Sequence, residues 1–163
     1  MEIPDFGPVL ANLNAKRVDF IVVGGVSAVL QGAGAVTFDL DIVHSTDDAN
    51  VQRLLSALET LDAYYRLQPE RRLRPSASHL SSKVHNLLMT RYGPLDVLGA
   101  IGNGRNYADL LSSTDELDTG EGVKVRVLNL EAQIKVKEEI NGEKDPAVLP
   151  LLRRTLEEKR RRS

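Results

Sequence analysis

The sequence predicts an α/β chain of the α+β type, with helices flanking a mixed, partly antiparallel sheet. Three observations predict it. In the first third of the chain, short apolar runs, the first of which stops at Gly24-Gly25, alternate with segments of helical periodicity. Two apolar runs, His85 to Thr90 and Leu95 to Leu98, are joined by Arg91-Tyr92-Gly93-Pro94, a turn-rich link suited to an antiparallel hairpin. From about residue 130 the pattern is helical. A chain of 163 residues is expected to form one domain, 1–163, with its C-terminal helices from about 130, and is long enough to bury its own core.

Taken in order, residues 8–16, PVLANLNAK, have apolar residues at helical spacing after a proline start, which predicts a first helix. Val18 to Val23 is β-branched and aromatic and too short for a buried helix, so it reads as a strand that stops at Gly24-Gly25. Val26 to Gln31 reads as a short helix closed by Gly32, and Gly34 loosens the chain before a second strand from about Phe38 to His44. Ser45-Thr46-Asp47-Asp48 offers short polar side chains for the free N–H groups of a helix start. The helix after it carries Val51, Leu54, Leu55, Leu58 and Leu61 as one apolar stripe, which should cover a face of the sheet.

Arg66 to Ser82 is polar, contains Pro69 and Pro75, and reads as a long loop or irregular hairpin of the kind that often serves function. Its basic residues are the candidates for acceptor contact. Tyr107 to Leu111 suggests a short helix, and Val123, Val125 and Val127 alternate with Lys124 and Arg126 as in a half-exposed edge strand. A helix follows from Leu130 to Ile140, breaks at Asn141-Gly142, and resumes from about Asp145 or Pro146.

Composition narrows the function classes. The 21 basic and 23 acidic residues give a formal charge of −2, so no global positive field draws nucleic acid. Arginine clusters at 66–74 and 153–162 read first as solvated surface. With no cysteine, disulfides, thiolate metal sites and cysteine nucleophiles are excluded. No apolar stretch reaches the roughly 18 residues of a membrane span, and MEIPDFGPVL lacks the basic segment of a signal peptide. The expectation is a cytoplasmic protein with no membrane partner. His44, His79 and His85 have no metal-ligand spacing, and Tyr64, Tyr65, Tyr92 and Tyr107 are too scattered for a base-stacking platform.

Chemistry concentrates in VDFIVVGGVSAVLQGAGAVTFDLDIV, residues 18–43. Gly24-Gly25 after a strand allows a tight turn, or lets a phosphate approach the backbone N–H groups of the helix that starts there. Neither a Gly-Lys-Ser/Thr loop nor a Gly-x-Gly-x-x-Gly fingerprint is present. Asp39 and Asp41 are two apart, so in a strand they project to one face, about 6 to 7 Å apart, while Phe38, Leu40 and Ile42 project to the other. Two like charges there repel, which a divalent cation between them relieves. Asp96 is a single acid within an apolar run and needs a partner or a task.

Strand, Gly-Gly, helix, strand with Asp-x-Asp, then a later strand with one acid resembles the nucleotidyltransferase superfamily of the DNA polymerase beta type. The compact bacterial members related to AbiEii-type toxins are the nearest in pattern, with Gly25, Ala28, Gly32, Thr37, Asp39 and Asp41 in step. Tyr92-Gly93-Pro94-Leu95-Asp96-Val97-Leu98 resembles the family's third-acid strand, and Leu130 through Lys137 to Lys144-Asp145 its closing helix, so the likeness runs from about residue 18 to 155. One departure stands out: many relatives carry an arginine two residues before the Thr, where this chain has Ala35, leaving Arg91 or Lys137 to substitute.

The resemblance implies a nucleotidyltransferase fold and transfer of a nucleoside monophosphate from a nucleoside triphosphate such as ATP to a hydroxyl of a tRNA, a protein or a small molecule. It implies Asp39, Asp41 and Asp96 as catalytic metal ligands for Mg²⁺ or Mn²⁺, and Gly24, Gly25, Ser27, Thr37 and Lys137 as nucleotide-binding residues. It also implies a toxin–antitoxin setting with a cognate antitoxin or other partner protein. A non-catalytic nucleotide-binding or partner-binding module of the same fold is the alternative, favoured by Ala35 and the small size.

Overall fold

The computed structural model describes residues 5–32, 39–120, 122–139 and 148–162. The expectations for Gly34, Ala35, Thr37, Phe38, Asn141-Gly142, Lys144-Asp145 and Pro146 lie outside these residues. Among the described residues seven strands form one sheet in the order β3-β4-β5-β2-β1-β7-β6. The strands are β1 (Phe20–Val23), β2 (Leu40–His44), β3 (Tyr64–Tyr65), β4 (His85–Thr90), β5 (Gly93–Leu98), β6 (Thr114–Asp118) and β7 (Lys124–Leu128). The helices are α1 (Gly7–Ala15), α2 (Gly24–Leu30), α3 (Asp48–Thr60), α4 (Ala77–Leu80), α5 (Tyr107–Leu110), α6 (Leu130–Glu139) and α7 (Val148–Arg162).

The central pairing is mixed. β1 runs antiparallel to β2 and parallel to β7, and β2 runs parallel to β5. The predicted hairpin is present, β4 pairing antiparallel with β5 from His85↔Leu98 to Thr90↔Gly93. Period-two alternation sorts the strands' side chains. Phe20, Val22, Leu40, Ile42, Leu95 and Val97 pack with the apolar stripe of α3 and with α1, forming the larger core. Ile21, Val23, Val43, Leu98 and Leu128 enter a second cluster with Val136 of α6 and Leu110 of α5. Ala28 of α2 joins Leu130 and Leu152, which ties α2, α6 and α7 together.

Five expectations change. β7 is not an edge strand: β1 lies on one side and β6 on the other. β6, TDELD, was not expected because acids are poor strand formers, yet at the edge they project into water and need pairing on one side only. Residues 66–82 are not an open loop, since Pro69–Arg71 forms a 3₁₀ turn and α4 is closed by a capping box between Ser76 and His79. α3 starts at Asp48 with no side-chain cap bond, the Ser45 hydroxyl accepting instead from the Asp47 N–H. α2 also begins earlier than its apolar pattern suggested, at Gly24, so both glycines belong to its first turn. No helix among the described residues is long and apolar enough to cross a membrane.

Candidate active site

Register brings the acids together. Asp41 on β2 is the Cα partner of Asp96 on the parallel strand β5, and of Val23 on β1, the residue before Gly24. Because Leu40 and Ile42 face the larger core, Asp41 faces the opposite side, and Asp96 between Leu95 and Val97 does the same. Asp39, just before β2, is about half exposed. The three acids therefore gather on one face of the sheet.

Gly24 makes room for them. It has φ +69°, and a Cβ there would sit 2.5 Å from Asp41 Oδ2. Backbone conformation and contact both require a glycine, so Gly24 lies directly against the carboxylate. Asp41 is the most perturbed acid. Burial first, then the charge of Asp96 and the proton it can share with that neighbour, then the charge of Asp39, push its pKa up to about 8, with Arg66 opposing. Its Oδ1 is buried with no hydrogen-bond partner among the described residues.

Arg66 is a site residue that the pattern did not single out. Its Nη1 donates to Asp96 Oδ1 at 2.5 Å and to the Leu88 carbonyl at 3.0 Å, and its Nη2 lies 3.9 Å from Asp39 Oδ2. The usable signal was position: Arg66 immediately follows Tyr64-Tyr65, and its N–H pairs with the Leu87 carbonyl, opposite Asp96. In sequence it was one arginine among several.

Asp41 and Gly24 open onto a cleft of about 370 Å³. Val23, Leu98, Leu128 and Val136 give it an apolar floor, Lys83, His85 and Lys137 contribute nitrogen groups, and the Ala100–Gly104 segment forms one wall. Lys137, from the last turn of α6, thus shares a cleft with Asp41. Ser27 does not act as its motif position suggested. It is fully buried, its hydroxyl donates to the Leu128 carbonyl at 2.9 Å, and it accepts from Gln31 and Gln133. That hydroxyl fastens α2 to the end of β7 and is not available to a phosphate. Thr37 lies outside the described residues, and Gly25 follows Gly24 in the first turn of α2.

Among the described residues no group of three or more His, Cys, Asp or Glu side chains is gathered closely enough to hold a metal ion. The fit to a hard cation is narrower. The donors are all carboxylate oxygens, two of the acids lie on adjacent strands, and one buried oxygen lacks a partner.

The fold these elements make is the nucleotidyltransferase fold. Three solved structures are similar to the chain. A candidate nucleotidyltransferase, TM1012, from Thermotoga maritima is 19% identical, with a TM-score of 0.57 and 93% of this chain and 89% of that one covered. The lincosamide antibiotic adenylyltransferase LnuA, lincomycin-bound, is 20% identical, with a TM-score of 0.58 and coverage of 90% and 92%. ANT(2")-Ia in complex with adenylyl-2"-tobramycin is 18% identical, with a TM-score of 0.58 and coverage of 91% and 85%. No protein-family profile and no curated protein sequence matches the chain.

Proposed function

We propose that this chain is a metal-dependent nucleotidyltransferase that moves a nucleoside monophosphate from a nucleoside triphosphate to a hydroxyl of a small molecule. The observation that carries the reading is the convergence of Asp39, Asp41 and Asp96 on one face beside Gly24, with a buried Asp41 oxygen left unpartnered. Two similar structures hold an antibiotic or an adenylylated antibiotic, which supports a small molecule over tRNA or protein as acceptor.

A bound Mg²⁺ or Mn²⁺ would supply charge neutralisation at the triphosphate and acidify the attacking hydroxyl. Asp39 and Asp41, two apart in the chain, are the residues to hold it, Asp41 through its unpartnered Oδ1 and Asp39 through a half-exposed carboxylate. The first turn of α2 offers the backbone N–H groups of Gly24 and Gly25 to phosphate oxygens, and Gly24 without a Cβ allows close approach. Lys137 lines the same cleft and adds a positive charge for the nucleotide. In the transfer, the acceptor oxygen bonds to the α-phosphorus as the bond to the α–β bridging oxygen breaks. Pyrophosphate leaves with that electron pair, and the hydroxyl proton passes to a base, for which Asp96 is the candidate.

The reading is tested by incubating the chain with Mg²⁺, each α-labelled nucleoside triphosphate in turn, and separate pools of aminoglycosides, lincosamides, cellular RNA and cellular protein. Label should move to a small molecule and stop moving in Asp39→Ala and Asp41→Ala. Label on RNA or protein alone would overturn the acceptor, and no transfer to any pool would overturn the enzyme.

A further inference from the structure

Arg66 belongs to a polar, basic stretch, yet its side chain is only 21% exposed and its partner Asp96 only 14%. One nitrogen, Nη1, donates both to Asp96 and to the Leu88 carbonyl of β4. The second bond fixes the guanidinium to the sheet, so the ion pair is built into the edge of the site rather than laid over it. The other nitrogen points toward Asp39 at 3.9 Å. A guanidinium thus already stands between the first and third acids and occupies one oxygen of Asp96.

We infer that Arg66 takes the place of a second divalent cation, so that Asp96 is held by a guanidinium and the acid cluster binds one divalent cation, on Asp39 and Asp41, instead of two. The inference rests on the metal-dependent reading above. Charge supports it. Before nucleotide arrives, one divalent cation together with Arg66 balances the three carboxylates, whereas two cations would leave an excess of positive charge at close quarters. Releasing Asp96 to a cation would also leave a largely buried guanidinium facing that cation without its partner. Two carboxylates with water and phosphate oxygens are a sufficient set for Mg²⁺. Arg66 is accordingly a positioning residue: it orients Asp96 and excludes a cation there.

The test is a titration of the full chain with Mn²⁺ alone, following the free aqua ion by electron paramagnetic resonance. The parent should bind one Mn²⁺ per chain, and Arg66→Gln should gain a second, weaker one. Arg66→Gln combined with Asp96→Asn removes one charge of each sign. It should keep the single site without the tenfold or greater loss of affinity that removing a ligand or its support brings. Two Mn²⁺ on the parent would overturn the inference while leaving metal dependence intact, and no bound Mn²⁺ would overturn both. A count of one in Arg66→Gln, with its fold intact by circular dichroism, would also contradict it, as would a tenfold loss in the double variant. The parent count requires no variant to fold.

Discussion

At Asp41, burial, the neighbouring charge of Asp96 and the charge of Asp39 act in the same direction, and Arg66 offsets only part of them. The folded chain therefore holds a proton there up to a pH of about 8, whereas the unfolded chain releases it in the ordinary carboxylate range near about 4. With the folded state binding more protons across that interval, the contribution is fully present at acid pH and is lost as pH rises toward 8. In the absence of divalent cations, Asp41→Asn should flatten this decline, which denaturant unfolding at pH 6 and pH 9 would measure. An equal slope in parent and variant would remove Asp41 as its source. Ser27 calls for a different prediction, because its hydroxyl is occupied by the Leu128 carbonyl. Ser27→Ala should lower stability by about 1 kcal/mol and leave nucleotide affinity unchanged, as read by denaturant midpoint and equilibrium binding. The motif position of Ser27 was visible in the sequence, but the direction of its side chain was not. That direction depends on Leu128, 101 residues away.

At the scale of elements, the cleft is closed by a segment that local pattern did not reveal. Ile101 and Arg105 pair across a tight turn in which Gly102 and Gly104 have φ of +57° and +79°. Arg105 then binds Glu139 of α6 through Nε at 2.9 Å and through Nη2. Each partner moves the other toward its charged form, raising the pKa of Arg105 and lowering that of Glu139. Glu139→Ala should release this wall and speed amide exchange over residues 100–105, while exchange in β4 and β5 stays slow. Unchanged exchange would mean that the turn holds itself.

The same contrast separates what was legible from what was not. β1, the β4–β5 hairpin, α3 and α6 carry their own local signals, a short β-branched run, a turn-rich link between apolar runs and helical patterning, and can be read from them. β6 is acidic and lies at an edge, and α4 depends on a four-residue capping box, so both take their shape from neighbours or from a few side-chain bonds. Arg66 was hidden for a related reason. Its role comes from β3 pairing with β4, and a two-residue strand leaves almost no periodic signal.

For the whole molecule, the sheet separates two jobs. One face is sealed by α1 and α3 over the larger core, and the other is covered only in part by α5 and α6, leaving the cleft beside Gly24 and Asp41. Asp-x-Asp and the lone Asp96 could be read as a set because strand alternation puts each on the face opposite its apolar neighbours. Their meeting in space required the parallel pairing of β2 with β5, a contact between residues 55 positions apart that no local pattern supplies. The central claim is that this meeting forms a cation-dependent triphosphate site. It is tested most directly by equilibrium binding of a non-hydrolysable ATP analogue to the parent and to Asp39→Asn/Asp41→Asn, each with and without Mg²⁺. The account predicts that Mg²⁺ strengthens binding to the parent at least about tenfold and does nothing for the double variant. Equal strengthening in both, or binding to the parent that ignores Mg²⁺, would contradict it.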